Sequence, residues 1–219
     1  MILQPFRGDK GEYERLSKST ISPVDAPDFG VNTRWGPVVV NVEDWRPGDV
    51  ILVDTPESVI IKSYQWLLGA GPDSAWTHAA IYAGDDRIWD AMPDLHIQER
   101  TIGELVRQSV PISLYRLRNA QIEKHLLARL IEEQAKQTYA VGGYLGVLAS
   151  RMISNAPAPE HPDHTASRPV ICSIFVERVL MLAAGRQVLP HVPVSVPADF
   201  ATSTAFEPVS LSWRRIANR

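Results

Sequence analysis

A chain of 219 residues can bury roughly 70% of the surface its unfolded form exposes, so one large domain or two small ones can hold together without a disulfide or metal. Hydrophobic residues make up 45% and charged residues 21%, a balance that excludes wholesale disorder. The 22 Lys and Arg against 25 Asp and Glu give −3; with no basic cluster beyond the Arg214–Arg215 pair, this balance argues against a general nucleic-acid binder.

Met1 to Lys10 reaches proline and charge too soon for a secretory signal, and no apolar run approaches the length of a membrane span. Synthesis as a soluble cytosolic chain is therefore expected, with export by a route that needs no cleaved signal left open. Residues 1–36, broken by Pro23, Pro27 and Gly30, read as an N-terminal arm with a short helix near Gly11 to Ser17. Residues 37–219 read as one domain. Strand character begins at Val38, the turn Arg46-Pro47-Gly48-Asp49 follows, and Val50 to Val53 is a buried strand. A helix is expected from Glu57 to Leu68, ended by Gly69 and Gly71.

Thr77 to Tyr82 and Arg87 to Ala91, joined through Ala83-Gly84-Asp85-Asp86, form the clearest hairpin in the chain. Strands follow at Ile97 to Arg100 and Ile112 to Leu117. Ala120 to Gln137 carries Ile122, Leu126, Leu127, Leu130 and Ile131 on one helical stripe, and a second helix is expected near Gly143 to Met152. Four prolines between Asn155 and Pro169 make a loop. Cys172 to Ala184 reads as a helix closed by Gly185, Pro197 to Thr204 as a short helix, and Glu207 to Trp213 as the last strand. With no internal repeat, the pattern predicts a single α+β domain.

The sequence contains no H-E-x-x-H, G-x-S-x-G or G-x-x-x-x-G-K-[ST], so zincin, serine-hydrolase and P-loop chemistry lack a signature. His161 and His164 sit in the proline-rich loop without partners at metal spacing, His125 lies on a charged helix face, and His191 stands among prolines. Cys172 is the single cysteine, which excludes an internal disulfide and a multi-thiolate zinc site. It opens an apolar helix, where the positive end of the dipole favours thiolate, the form that attacks carbonyl carbon. On position alone, a small buried hydrophobe is the commoner fate of a lone cysteine.

The hairpin adds a partner. His78 and Asp90 are both even-numbered, and in a hairpin of even register like parity faces one side of the sheet. Pairing Tyr82 with Ile88 places Ala80 opposite Asp90 and His78 one diagonal step away; pairing Tyr82 with Asp86 places His78 opposite Asp90. Either register leaves Cβ atoms about 4.5–8 Å apart, whereas an odd bulge in the turn would break the match. A carboxylate holding one imidazole nitrogen leaves the other for a nucleophile's proton, so Cys172, His78 and Asp90 can serve as nucleophile, base and orienting group.

Four segments in this order, Pro47-Gly48-Asp49-Val50-Ile51-Leu52, Thr77-His78-Ala79-Ala80-Ile81-Tyr82-Ala83-Gly84, Ile88-Trp89-Asp90-Ala91 and Ile171-Cys172-Ser173-Ile174-Phe175-Val176, resemble the circularly permuted NlpC-like papain-fold amidases of the YaeF/YiiX group. The likeness runs from about Trp45 to Trp213. It implies a circularly permuted papain-like fold, with an antiparallel sheet packed against helices and the nucleophile at a helix N-terminus. It implies Cys172 as nucleophile, His78 as general base and Asp90, where Glu is commoner, as the third member. It also implies Ser173 and Tyr139 as substrate-binding residues, with a core aromatic at a helix end an equal reading of Tyr139; Asp49 reads as a turn residue. Ile174 stands where the group often has a polar side chain.

The activity implied is hydrolysis of an amide bond, as in a peptidoglycan stem peptide, through a thioester acyl-enzyme and with no cofactor or metal. If the chain is delivered to a target periplasm as an antibacterial effector, a secretion-system or immunity partner follows. The same superfamily holds lecithin–retinol acyltransferase-like enzymes, so a lipid acyltransferase or hydrolase with the same residues is the alternative, and a catalytically inactive binding module the other.

Overall fold

The structure, a computed structural model, describes residues 23–24, 38–54, 75–92, 95–108, 112–135, 172–189 and 195–215. In chain order these form β1 (Pro23–Val24), β2 (Val38–Asn41), β3 (Val50–Val53), β4 (His78–Gly84), β5 (Arg87–Met92), β6 (Leu95–Thr101) and α1 (Ile102–Gln108). There follow β7 (Ile112–Leu117), α2 (Lys124–Ala135), α3 (Cys172–Ala184), α4 (Pro197–Thr202), β8 (Phe206–Val209) and β9 (Ser212–Arg215). Six strands make an antiparallel sheet in the order β6-β5-β4-β3-β7-β8, and a smaller sheet has the order β1-β9-β2. The class is α+β, as expected.

Both faces of the large sheet are covered, which is why Val50–Val53 reads as an unbroken apolar run rather than an alternating one. The period of two is still visible in where the side chains go. Val50, Leu52, Ala79 and Ile81 enter one core with Phe175, Val176, Val179 and Leu180 of α3 and Leu127 and Ile131 of α2. Ile51, Val53, Ala80 and Tyr82 enter the other with Val40, Trp45, and Ile102 and Leu105 of α1. The pairs Phe175/Val176 and Val179/Leu180 are one helical turn apart, so a single stripe of α3 lies on the sheet.

The β4–β5 hairpin decides the geometry of the site. Gly84 pairs with Arg87, and the two residues between them, Asp85 and Asp86, have φ of 53° and 61°, the signature of a type I′ turn. This turn alone pairs even positions with odd ones and would set Asp90 beside Ile81, on the face away from His78. The register shifts between Tyr82 and Gly84, where Ala83 is the one extra residue. Beyond that bulge Tyr82 pairs with Ile88 and Ala80 with Asp90, so His78 and Asp90 share a face. A one-residue bulge, which on sequence grounds threatens the match, here produces it.

The expected final strand over Glu207 to Trp213 is instead two strands, β8 on the large sheet and β9 on the small one, with Ser210 and Leu211 in the crossing between them. Pro208 pairs at the edge of the large sheet, where a missing N–H is tolerated. Helix α1 was not expected; Thr101 caps it, its hydroxyl accepting from the Glu104 N–H while the Glu104 carboxylate accepts from the Thr101 N–H at 2.7 Å. The helices expected near Gly11–Ser17, Glu57–Leu68 and Gly143–Met152, the loop from Asn155 to Pro169, and most of the N-terminal arm lie outside the described residues. Within that arm, Pro23–Val24 pairs with β9.

Gly48 enters β3 at φ +93°, and a Cβ built there would stand 2.5 Å from Ile122 Cδ1. Its N–H donates to the Tyr82 carbonyl at 2.9 Å, so this conformation, open to glycine, is held in place. Gly48→Ala is expected to cost about 1–3 kcal/mol through this φ and the contact, read as a fall of about 3–10 °C in melting temperature. An unchanged melting temperature would show that the turn relaxes freely.

Candidate active site

Cys172 is the first residue of α3 and His78 the first of β4, so the two meet at one end of the helix–sheet interface. The imidazole Nε2 lies 3.0 Å from Asp90 Oδ2, one diagonal step across the hairpin. That leaves Nδ1 for Cys172, with whose sulfur His78 hydrogen-bonds. The backbone N–H groups of Ala79 and Ser173 also lie against the sulfur and favour its ionised form. The Ser173 N–H belongs to the first turn of α3, whose donors have no partner within the helix.

Burial opposes charge on both members of the Cys172–His78 pair, yet each stabilises the other's ionised form. Burial would raise the Cys172 thiol, but the charge and hydrogen bond of His78 together with the Ala79 and Ser173 N–H groups hold it below its ordinary range. His78 is lifted to about 10, since the thiolate and the Asp90 carboxylate outweigh desolvation of the ring. Asp90 is held below the usual carboxylate range: burial would raise it, but His78 and then Arg100 favour the anion more strongly. These shifts favour a thiolate–imidazolium pair oriented by a carboxylate.

The structure thus brings Cys172, His78 and Asp90 together. Ser173 has a different place: its hydroxyl is buried and donates to the Ser195 carbonyl at 2.7 Å, tying α3 to the segment before α4. The substrate contact expected of that side chain finds no support in this placement. Tyr139 lies outside the described residues, as do His161, His164 and His191, and His125 is exposed on α2. Asp49 is buried in the turn before β3. It accepts the Arg46 N–H at 2.8 Å and grips Arg116 twice, Oδ1 to Nε at 2.8 Å and Oδ2 to Nη2 at 2.7 Å.

Sequence reasoning missed Arg100. Its Nη1 donates to Asp90 Oδ2 at 2.9 Å, the same oxygen that meets His78, and its side chain is buried. Asp90 pairs with Gln98 and Ile88 with Arg100, so Arg100 is the other diagonal neighbour of Asp90 on that face. The available signal was a cation of matching parity on the next strand, ten residues on. Among the described residues, no group of three His, Cys, Asp or Glu side chains could hold a metal ion, and no helix is long and apolar enough to cross a membrane.

No family description and no curated protein matches the chain. Among solved structures, the chain is similar to one titled metalloprotein yiiX from Escherichia coli O157:H7, with a TM-score of 0.48 and 12% identity. The match covers 75% of this chain and 96% of that one.

Proposed function

We propose that the chain is a cysteine hydrolase of the amidase or peptidase kind, with a circularly permuted papain-like fold, acting on an amide bond of a peptidoglycan stem peptide. The observation that carries the reading is the His78 ring, held at Nε2 by Asp90 and turned toward Cys172 at the N-terminus of α3. In this reading the thiolate attacks the amide carbonyl, and the N–H of Cys172 stabilises the oxyanion. Imidazolium then gives its proton to the leaving amine, a thioester forms, and His78 draws a proton from the water that hydrolyses it. The substrate class and delivery as an antibacterial effector into a target periplasm rest on the sequence resemblance; neither a cofactor nor a metal enters the scheme.

The test is incubation of purified sacculi with the protein and with Cys172→Ala. Soluble muropeptides and new amino groups are expected with the first, and a loss of at least about 10³-fold with the second. Intact sacculi, or a fatty acyl thioester on Cys172 after incubation with phospholipid vesicles, would overturn the peptide reading. The second of these outcomes would replace it with lipid acyl chemistry.

A further inference from the structure

Asp90 is fully buried, and two cations converge on one of its oxygens: His78 Nε2 at 3.0 Å from β4 and Arg100 Nη1 at 2.9 Å from β6. Its other oxygen, Oδ1, is buried without a hydrogen-bond partner among the described residues. Among the described residues, the charged groups that face the carboxylate are His78 and Arg100, and the one that faces His78 beyond it is Cys172 of α3.

The charges can be counted along this row. Cys172 as thiolate, His78 as imidazolium, Asp90 as carboxylate and Arg100 as guanidinium together carry no net charge. Without Arg100 the same row carries one negative charge. Without the Asp90 charge it carries one positive charge, placed directly behind the imidazole. An unbalanced charge in such a site disfavours whichever protonation step adds to it. The shared oxygen adds a geometric constraint. With Arg100 fixed on Oδ2, the carboxylate presents that oxygen to His78; with Arg100 gone, either oxygen can turn to the ring.

We infer that Asp90 and Arg100 act as one electrically neutral unit that orients His78, with Arg100 a positioning residue acting through Asp90. The inference rests on the cysteine-hydrolase reading but needs no substrate for its test. Because Cys172 is the single cysteine, the rate of its alkylation by iodoacetamide against pH reports the pair directly.

Removing a positive charge raises the neighbouring titrations and removing a negative charge lowers them. Arg100→Met is therefore expected to move the acid-side midpoint up by about one pH unit, and Asp90→Asn to move it down by about as much. The double variant, which removes both charges of the Asp90–Arg100 pair, is expected to return to within about half a unit of the parent. A merely structural Arg100 would lower the labelled fraction and leave the midpoints still. Singles that shift the same way, or a double variant displaced as far as either single, would overturn the neutral unit. Where the singles do not fold, the double variant and Arg100→Lys carry the test: Lys keeps the charge, so a midpoint about a unit above the parent's would overturn it. A parent protein alkylated slowly with an ordinary thiol profile would instead overturn the cysteine-hydrolase reading and the unit's role with it.

Discussion

In His78→Ala, alkylation of Cys172 at pH 6 is expected to slow by about ten- to a hundredfold relative to the parent. A thiol titrating near its ordinary value of about 8.5 is only about 0.3% thiolate at that pH. In the parent, His78 and the backbone N–H groups of Ala79 and Ser173 favour the thiolate, so the reactive form persists well below the ordinary range. The full gain in thiolate fraction does not appear as rate, because a more acidic thiol is intrinsically a poorer nucleophile; hence the lower bound of about tenfold.

The sign on the alkaline side follows from His78. Its titration is lifted from 6.5 to about 10, so the imidazolium, and any stability its interactions add, is fully present below pH about 6.5 and lost as pH rises through about 10. Asp90 runs the other way. Its native titration is lowered, so its contribution is present above its unfolded value of about 3.9 and lost as pH falls through the lower native one. Equal alkylation rates in the parent and His78→Ala at pH 6 would remove the activated pair altogether.

The second large effect lies at the other end of β3. Val53 pairs with His78, whereas Val50 pairs with Ile81, so Asp49 sits a strand's length from His78. Asp49→Ala would leave the half-buried Arg116, which now donates three hydrogen bonds to Asp49 and the Asp44 carbonyl, with only the last of them. It would also free the Arg46 N–H that shapes the turn. Stranding one member of such a pair costs about 3–5 kcal/mol, or a fall of about 10 °C or more in melting temperature for a chain of this size. Asp49→Ala/Arg116→Met is expected to recover part of the loss, because no unpaired cation remains. The alkylation profile of Cys172 in the folded protein should be unmoved. A stable Asp49→Ala protein with an altered profile would assign Asp49 to the candidate site around Cys172 rather than to the turn.

What the sequence disclosed follows from which interactions are local. Val50–Val53, Ile112–Leu117 and Cys172–Ala184 are found where pattern and turn residues put them, since each boundary is set by a proline, a glycine or the end of an apolar run within a few positions. The juxtaposition of His78 and Asp90 was open to parity reasoning because a hairpin makes sequence distance into geometry. Arg100 was not open in the same way. Placing it needs the β5–β6 register, which shifts between Ala91 and Met92, and no local pattern announces that shift. The crossing of the chain from β8 to β9 escaped for a related reason: Glu207 to Trp213 has continuous strand character, and only the presence of two different sheets divides it. Ser173 stands next to Cys172 in sequence, yet in a helix successive side chains point about 100° apart, and its hydroxyl goes to the Ser195 carbonyl.

The bulge at Ala83 has a consequence for how this chain can vary. Surface hairpin tips are ordinarily where proteins gain and lose residues at little cost, and this one is exposed at Asp85 and Arg87. Here the tip sets which face Asp90 occupies, so its length behaves as a two-valued switch. Loss of Ala83, or gain of one residue beside it, would turn the carboxylate to the opposite core, while a change of two would restore the alignment. Descendants of this sequence that keep the His78–Asp90 contact should therefore differ in the tip by even steps, and an odd step should mark a copy that has given up that contact while keeping the fold.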